Sequence, residues 1–157
     1  VSTSCACAIR SRSRHSAPHG MGVPLGSFSF AGRGDSRPSQ AVITGAGSGI
    51  GRALARAFGA EGCRLALVDV DAKGLEETRS LLSGVPVSTH VANVADRARM
   101  AALPAEIHAE HGAIHLLFNN AGVTINESFE DTSIERLELV IGVNLWGVLY
   151  GCHYFLP

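Results

Sequence analysis

The sequence predicts an α/β fold built on a parallel, doubly wound sheet, and three observations carry that prediction. Short apolar runs of strand length recur along the chain. Between them lie stretches whose apolar residues return at helical spacing. Each interval is long enough for a crossover helix, and crossover connections make neighbouring strands parallel. At 157 residues, with 46% apolar and 17% charged, the chain has the length and composition of one globular domain.

The opening residues stand outside this pattern. VSTSCACAIRSRSRHSAPHG has no acidic side chain and no hydrophobic period, so it cannot bury enough apolar surface to fold alone. Its Arg- and Ser-rich make-up is also that of an organelle transit peptide. The chain starts with Val, which makes Met21 an alternative first residue. Gly and Pro then punctuate the stretch to Pro38, as in a linker. Residues 1–38 are therefore expected to be a disordered or linker-like extension, and 39–157 the folded unit.

From Gln40 the order is regular. AVIT (Ala41 to Thr44) is a buried strand ended by glycine, and Ile50, Leu54, Ala57 and Phe58 mark a helix that stops near Gly62. RLALVDV (Arg64 to Val70) is a second strand. Leu75, Leu81 and Leu82 mark a second helix, closed by Gly84. VPVSTHVANV holds a third strand, and Ala98 to His111 a third helix that Pro104 should kink or break. IHLLF (Ile114 to Phe118) is a fourth strand. Thr132 and Glu135 fit a capping box for a last helix, on which Leu137, Val140, Ile141, Asn144, Leu145 and Val148 share one face.

Several function classes drop out. Five arginines sit in the first forty residues against Asp35 alone, while the body is net acidic and offers no basic stripe for nucleic acid. Four scattered cysteines make no disulfide framework, which favours a reducing compartment. His108 and His111 close a helix and His115 begins a strand, so no metal site is expected. The uncharged run from Leu139 to Pro157 has membrane-span length and contains Gly147-x-x-x-Gly151. Asn144, His153 and its glycines leave it only moderately apolar, so no membrane is expected.

The chemistry concentrates in TGAGSGIG, Thr44 to Gly51, between the first strand and first helix. Gly45 allows a tight turn, Gly49 keeps side chains away from an approaching pyrophosphate, and Gly51 lets helix and strand pack closely. The free amides of the helix start then attract phosphate. Asp69 ends the second strand, about 20 residues on, where a carboxylate can bind the hydroxyls of an adenosine ribose. A carboxylate there repels a 2′-phosphate, so NAD is expected over NADP.

TGAGSGIG, followed by NNAG at Asn119 to Gly122 and then VNLWGV, resembles the short-chain dehydrogenase/reductase family, over Ala41 to Pro157. The resemblance implies a Rossmann-like sheet, incomplete at the C-terminus because the chain matches the N-terminal half of a typical member. It implies that Gly45, Ser48, Gly49, Ile50 and Gly51 line the pyrophosphate and that Asp69 holds the adenine ribose. Asn93 and Val94 would meet the adenine ring; Asn93 stands where the family often has Asp. Asn120, Ala121 and Gly122 would steady the fourth strand beside the cofactor. A polar amide on an apolar helical face must find a partner or cost roughly 1–3 kcal/mol. For Asn144 the resemblance implies a catalytic role, holding a water in a proton relay.

The family's Y-x-x-x-K pair is not found, since neither Tyr150 nor Tyr154 has a lysine four residues on. FAGR (Phe30 to Arg33) is also separated from the first strand by GDSRPSQ, where the family runs directly on. The expected function is thus an oxidoreductase moving hydride between NAD(H) and an alcohol or carbonyl substrate, represented by a part inactive alone. The alternative is a truncated, non-catalytic dinucleotide-binding or interaction protein. Homo-oligomers of the full-length protein, a cytoplasmic location with organelle targeting as the alternative, and a bare outer edge on IHLLF complete the expectations.

Overall fold

The computed structural model describes residues 7–10 and 39–156. Five strands form one sheet: β1 (Cys7–Arg10), β2 (Gln40–Thr44), β3 (Arg64–Asp69), β4 (Val87–Val91) and β5 (Leu116–Asn119), in the order β1-β5-β2-β3-β4. The pairs β5–β2, β2–β3 and β3–β4 are parallel, as the crossover helices require. Those helices are α1 (Gly49–Ala60), α2 (Ala72–Ser80) and α3 (Arg97–His111). After β5 come α4 (Ile134–Ile141), a π-helical turn over Gly142–Trp146, and α5 (Gly147–Phe155).

Strand alternation builds two cores. Val42, Ala66, Val68 and Leu117 face one side, where Met100, Leu103 and Ile107 of α3 and Phe155 of α5 cover them. Ala41, Ile43, Leu65, Leu67 and Phe118 face the other, under Ala55 of α1 and Leu75 of α2. A fully buried Leu or Ile contributes about 1.5–3 kcal/mol over an exposed one. Continuous apolar strands are the consequence of covering both faces, and the doubly wound α/β class is borne out.

Four local expectations change. Cys7–Arg10, expected within the linker-like extension, pairs antiparallel with β5 from Cys7↔Asn119 to Arg10↔Leu116, so the edge of IHLLF expected to be bare is covered. Residues 1–6 and 11–38, FAGR included, lie outside the described residues. Pro104 sits inside α3 without dividing it, and the helix starts at Arg97 because Asp96 accepts from the Ala98 and Arg99 amides. The last helix is capped by Ser133, which accepts from Arg136 N–H, while Thr132 donates to the Ser128 carbonyl (2.8 Å). Its buried face is also another one: Val143, Gly147, Gly151 and Phe155 turn inward, whereas Ile141, Asn144 and Leu145 are exposed. Small residues set that face. A Cβ on Gly147 would lie 2.7 Å from Val94 Cγ2, and one on Gly151 2.1 Å from Asn119 Oδ1.

Candidate active site cleft

A cleft of about 300 Å³ opens at the carboxyl ends of the parallel strands. It lies where the strand order reverses, with β3 and β4 running outward from β2 on one side and β5 lying on the other. Gly45, Ser48, Gly49, Ile50, Asp69, Asn93, Val94, Asn120, Ala121 and Gly122 line it, and so do Val70, Ala92, Val123 and Val143. Ten of the expected positions are thus gathered at one opening. Gly51 is not among them: a Cβ there would lie 2.0 Å from the Gly45 carbonyl oxygen, so it seats α1 on the turn instead.

The glycines differ in what they permit. Gly45 (φ +67°) takes a left-handed conformation with Ala121 Cα 2.9 Å from where a Cβ would be. Gly49 (φ +48°) is also left-handed, and nothing lies within 4 Å of its missing side chain, so its backbone faces open space. Ser48 begins α1 in an extended conformation and makes no side-chain cap bond, leaving the first amides of the helix without that partner.

Beside the turn, the Asp69 carboxylate accepts from Gly47 N–H (2.8 Å) and Asp71 N–H (3.1 Å). Across the cleft, buried Thr44 holds the NNAG turn. Its hydroxyl donates to the Phe118 carbonyl (3.2 Å) and accepts from the Asn120 and Ala121 amides (both 3.0 Å). Asn120 donates its side-chain amide to the Thr44 carbonyl (3.0 Å), yet its own Oδ1 is buried without a partner. Asn93 uses Oδ1 to accept from Ala95 N–H (2.9 Å), which turns the chain between β4 and α3.

Asn144 sits inside the π turn. Its Oδ1 accepts from Val123 N–H and its Nδ2 donates to the Val123 carbonyl, both at 2.9 Å. The partner an isolated amide demands is therefore the backbone on the cleft rim. π turns break the regular helical ladder and recur at functional sites. Val123 stood outside any motif, and within TGAGSGIG nothing assigned Thr44 or Gly47 these roles, because their partners lie 21–77 positions away.

Among the described residues, no three His, Cys, Asp or Glu side chains gather as a metal set, and the His115 ring accepts from Gln40 N–H (3.1 Å). No helix among them is long and apolar enough to cross a membrane.

2-(R)-hydroxypropyl-CoM dehydrogenase of Xanthobacter autotrophicus is 38% identical over 123 residues, covering 74% of this chain and 49% of that protein. A short-chain dehydrogenase/reductase of Burkholderia phymatum, solved with NAD, superposes with TM-score 0.73 at 39% identity, covering 75% of this chain and 43% of that one. A metagenomic short-chain oxidoreductase, solved with NADP, superposes with TM-score 0.70 at 30% identity, over 74% of this chain and 54% of that one. The chain spans less than half the length of the curated relatives it matches. The short chain dehydrogenase family model matches residues 39–157, and the chain belongs to that family.

Proposed function

We propose that this chain forms the cofactor-binding part of an NAD-dependent oxidoreductase acting on a small alcohol or carbonyl compound. The observation that carries this is the pairing, at one cleft, of an open left-handed glycine at a helix start with an acidic strand end. The cleft's groups fit a dinucleotide. The Gly49 backbone and the first amides of α1 receive a pyrophosphate next to Gly45, Ser48 and Ile50. Asp69 keeps acceptor capacity on both oxygens for ribose hydroxyls, and its charge opposes a 2′-phosphate. Asn93 and Val94 flank the adenine. The orphaned Oδ1 of Asn120 is a buried acceptor at the wall where Ala121 and Gly122 pass the cofactor.

A bound nicotinamide supplies the hydride acceptor or donor, while the protein's part is to bind, orient and manage the proton. Asn144 joins that proton path through its backbone and bound water, since its side-chain amide is committed to Val123. Four residues after Tyr150 stands Tyr154 rather than lysine, so Tyr150 does not supply the Y-x-x-x-K pair, and dinucleotide binding is the property to test on these 157 residues. The buried, unpaired Cys63, whose thiol is pushed up by burial, is compatible with a reducing, cytoplasmic setting.

Isothermal titration of the chain with NAD and NADP tests the reading. NAD should bind at least about tenfold tighter. Asp69→Asn should erase most of that difference. If neither dinucleotide binds, the oxidoreductase reading fails. The second reading, a non-catalytic interaction protein, is favoured by exposed Leu145, Trp146 and Leu149, and would show partner binding with or without nucleotide.

A further inference from the structure

Arg52 follows the glycine turn on α1, and no motif assigns it a task. Its guanidinium is engaged on several sides. Nε donates to Thr78 Oγ1 (2.9 Å), while one terminal nitrogen donates to Glu77 Oε2 (3.0 Å) and to the Gly47 and Gly74 carbonyls. Thr78, fully buried on α2, donates in turn to the Ala46 carbonyl (2.8 Å). The seam these bonds close has no spare room. A Cβ on Gly74 would lie 2.8 Å from Gly47 O, and one on Gly47 would lie 2.9 Å from Asp69 Oδ2.

Gly47 is therefore held on both sides of its Cα. Its carbonyl accepts from Arg52, and its N–H donates to Asp69 Oδ2 at 2.8 Å. That N–H shares a peptide plane with the Ala46 carbonyl, which Thr78 holds and Arg52 backs, so tilting the plane would carry the amide away from the carboxylate. Only a planar fork with several fixed donors can satisfy these acceptors together, and a lysine ammonium on a flexible stem cannot. The same bonds keep the Arg52 charge on the α2 side of the turn, paired with Glu77.

We propose that Arg52 is a positioning residue for cofactor choice: by clamping Gly47, directly at its carbonyl and through Thr78 at the preceding peptide, it holds the Asp69 carboxylate in place at the cleft, and it is itself withheld from a 2′-phosphate. The consequence for cofactor choice rests on the NAD reading above; the clamp can be tested without nucleotide.

In the unliganded full chain, the Gly47 amide of Arg52→Met should exchange with solvent about tenfold faster than in wild type, with β2 core amides unchanged. An unchanged Gly47 rate overturns the proposal. Glu77→Gln and Thr78→Val, each removing one anchor, should give the same signature more weakly, and they decide the matter if Arg52→Met does not fold. In titrations, Arg52→Met should lower the NAD-to-NADP affinity ratio about tenfold, and Arg52→Lys should not restore it. Introduced into Asp69→Asn, Arg52→Met should change the ratio less than about twofold, because the route through Asp69 is already gone. Equal, additive losses in both backgrounds overturn the proposal. If wild type binds neither dinucleotide, the oxidoreductase reading fails while the Gly47 exchange rate still decides the clamp.

Discussion

Thr44 joins the two strands between which the cleft opens, and one hydroxyl serves three backbone groups there. It donates to Phe118 O and accepts from the amides of Asn120 and Ala121. Valine has nearly the same shape but no acceptor, so Thr44→Val would strand two amides in a buried setting. The expected loss is about 1–3 kcal/mol, read as a lower urea midpoint at unchanged slope. An unshifted midpoint would show that water reaches those amides. This residue also marks what the sequence could reveal. Gly45, Gly49 and Asp69 were legible because each sits at a strand end or helix start, next to a backbone feature its own type explains. Thr44, Arg52 and Thr78 were not, because a side chain's meaning there depends chiefly on partners 22–77 positions away, Gly47 being the one near partner of Arg52. Gly51 was read both as a packing and as a lining residue, since both needs select glycine, and the contact seen is the packing one.

At the scale of elements, two seams carry testable consequences. The first is α5 against the segment after β4, where Gly147 leaves no space beside Val94. Gly147→Val would push Val94, a lining residue, and is expected to cost about 1–3 kcal/mol of stability by urea denaturation. Sequence apolarity placed this helix on the wrong face because its glycines, not its larger side chains, make the close approach. The second seam is β4 against α3, where the Ser88 hydroxyl lies 2.8 Å from both His90 Nε2 and His111 Nε2. Burial pushes both imidazoles below the ordinary histidine range. Glu110 opposes the shift at both, and Glu106 does so at His90; Arg99 adds to it at His90 and Arg64 at His111. The unfolded chain takes up these protons from about pH 6.5 downward while the folded seam resists, so unfolding binds protons. Stability is therefore complete above about pH 6.5 and is lost as pH falls from there through the lowered folded values. Urea midpoints should stay level from roughly pH 8 to about pH 6.5 and drop from there toward pH 5, and His90→Gln with His111→Gln should flatten that slope. A slope the double variant leaves intact would assign the loss to other groups.

For the whole molecule, the sheet and the long C-terminal helical run each have a flank to protect. Fold class was legible because four parallel strands and their crossovers impose periods of their own. The fifth strand was not, because β1 is four residues long, lacks a period and finds its partner more than a hundred positions away, at Cys7↔Asn119. With that pairing the β5 edge is closed, a protection open sheets need. Among the described residues the helical flank has no such cover: Ile141, Leu145, Trp146 and Leu149 are each 45–51% exposed. Ile141, Leu145 and Leu149 are spaced four apart and so fall along one helical stripe. Contiguous apolar surface of this kind marks association sites. A second copy is the simplest occupant, because two such stripes are self-complementary across a two-fold axis. Sedimentation velocity should show the chain's average mass rising with concentration. Leu145→Glu with Leu149→Glu should return it to monomer while leaving the thermal midpoint nearly unchanged, since neither side chain belongs to the buried core. A wild-type chain that stays monomeric at every concentration would rule out self-association and leave the stripe to another partner.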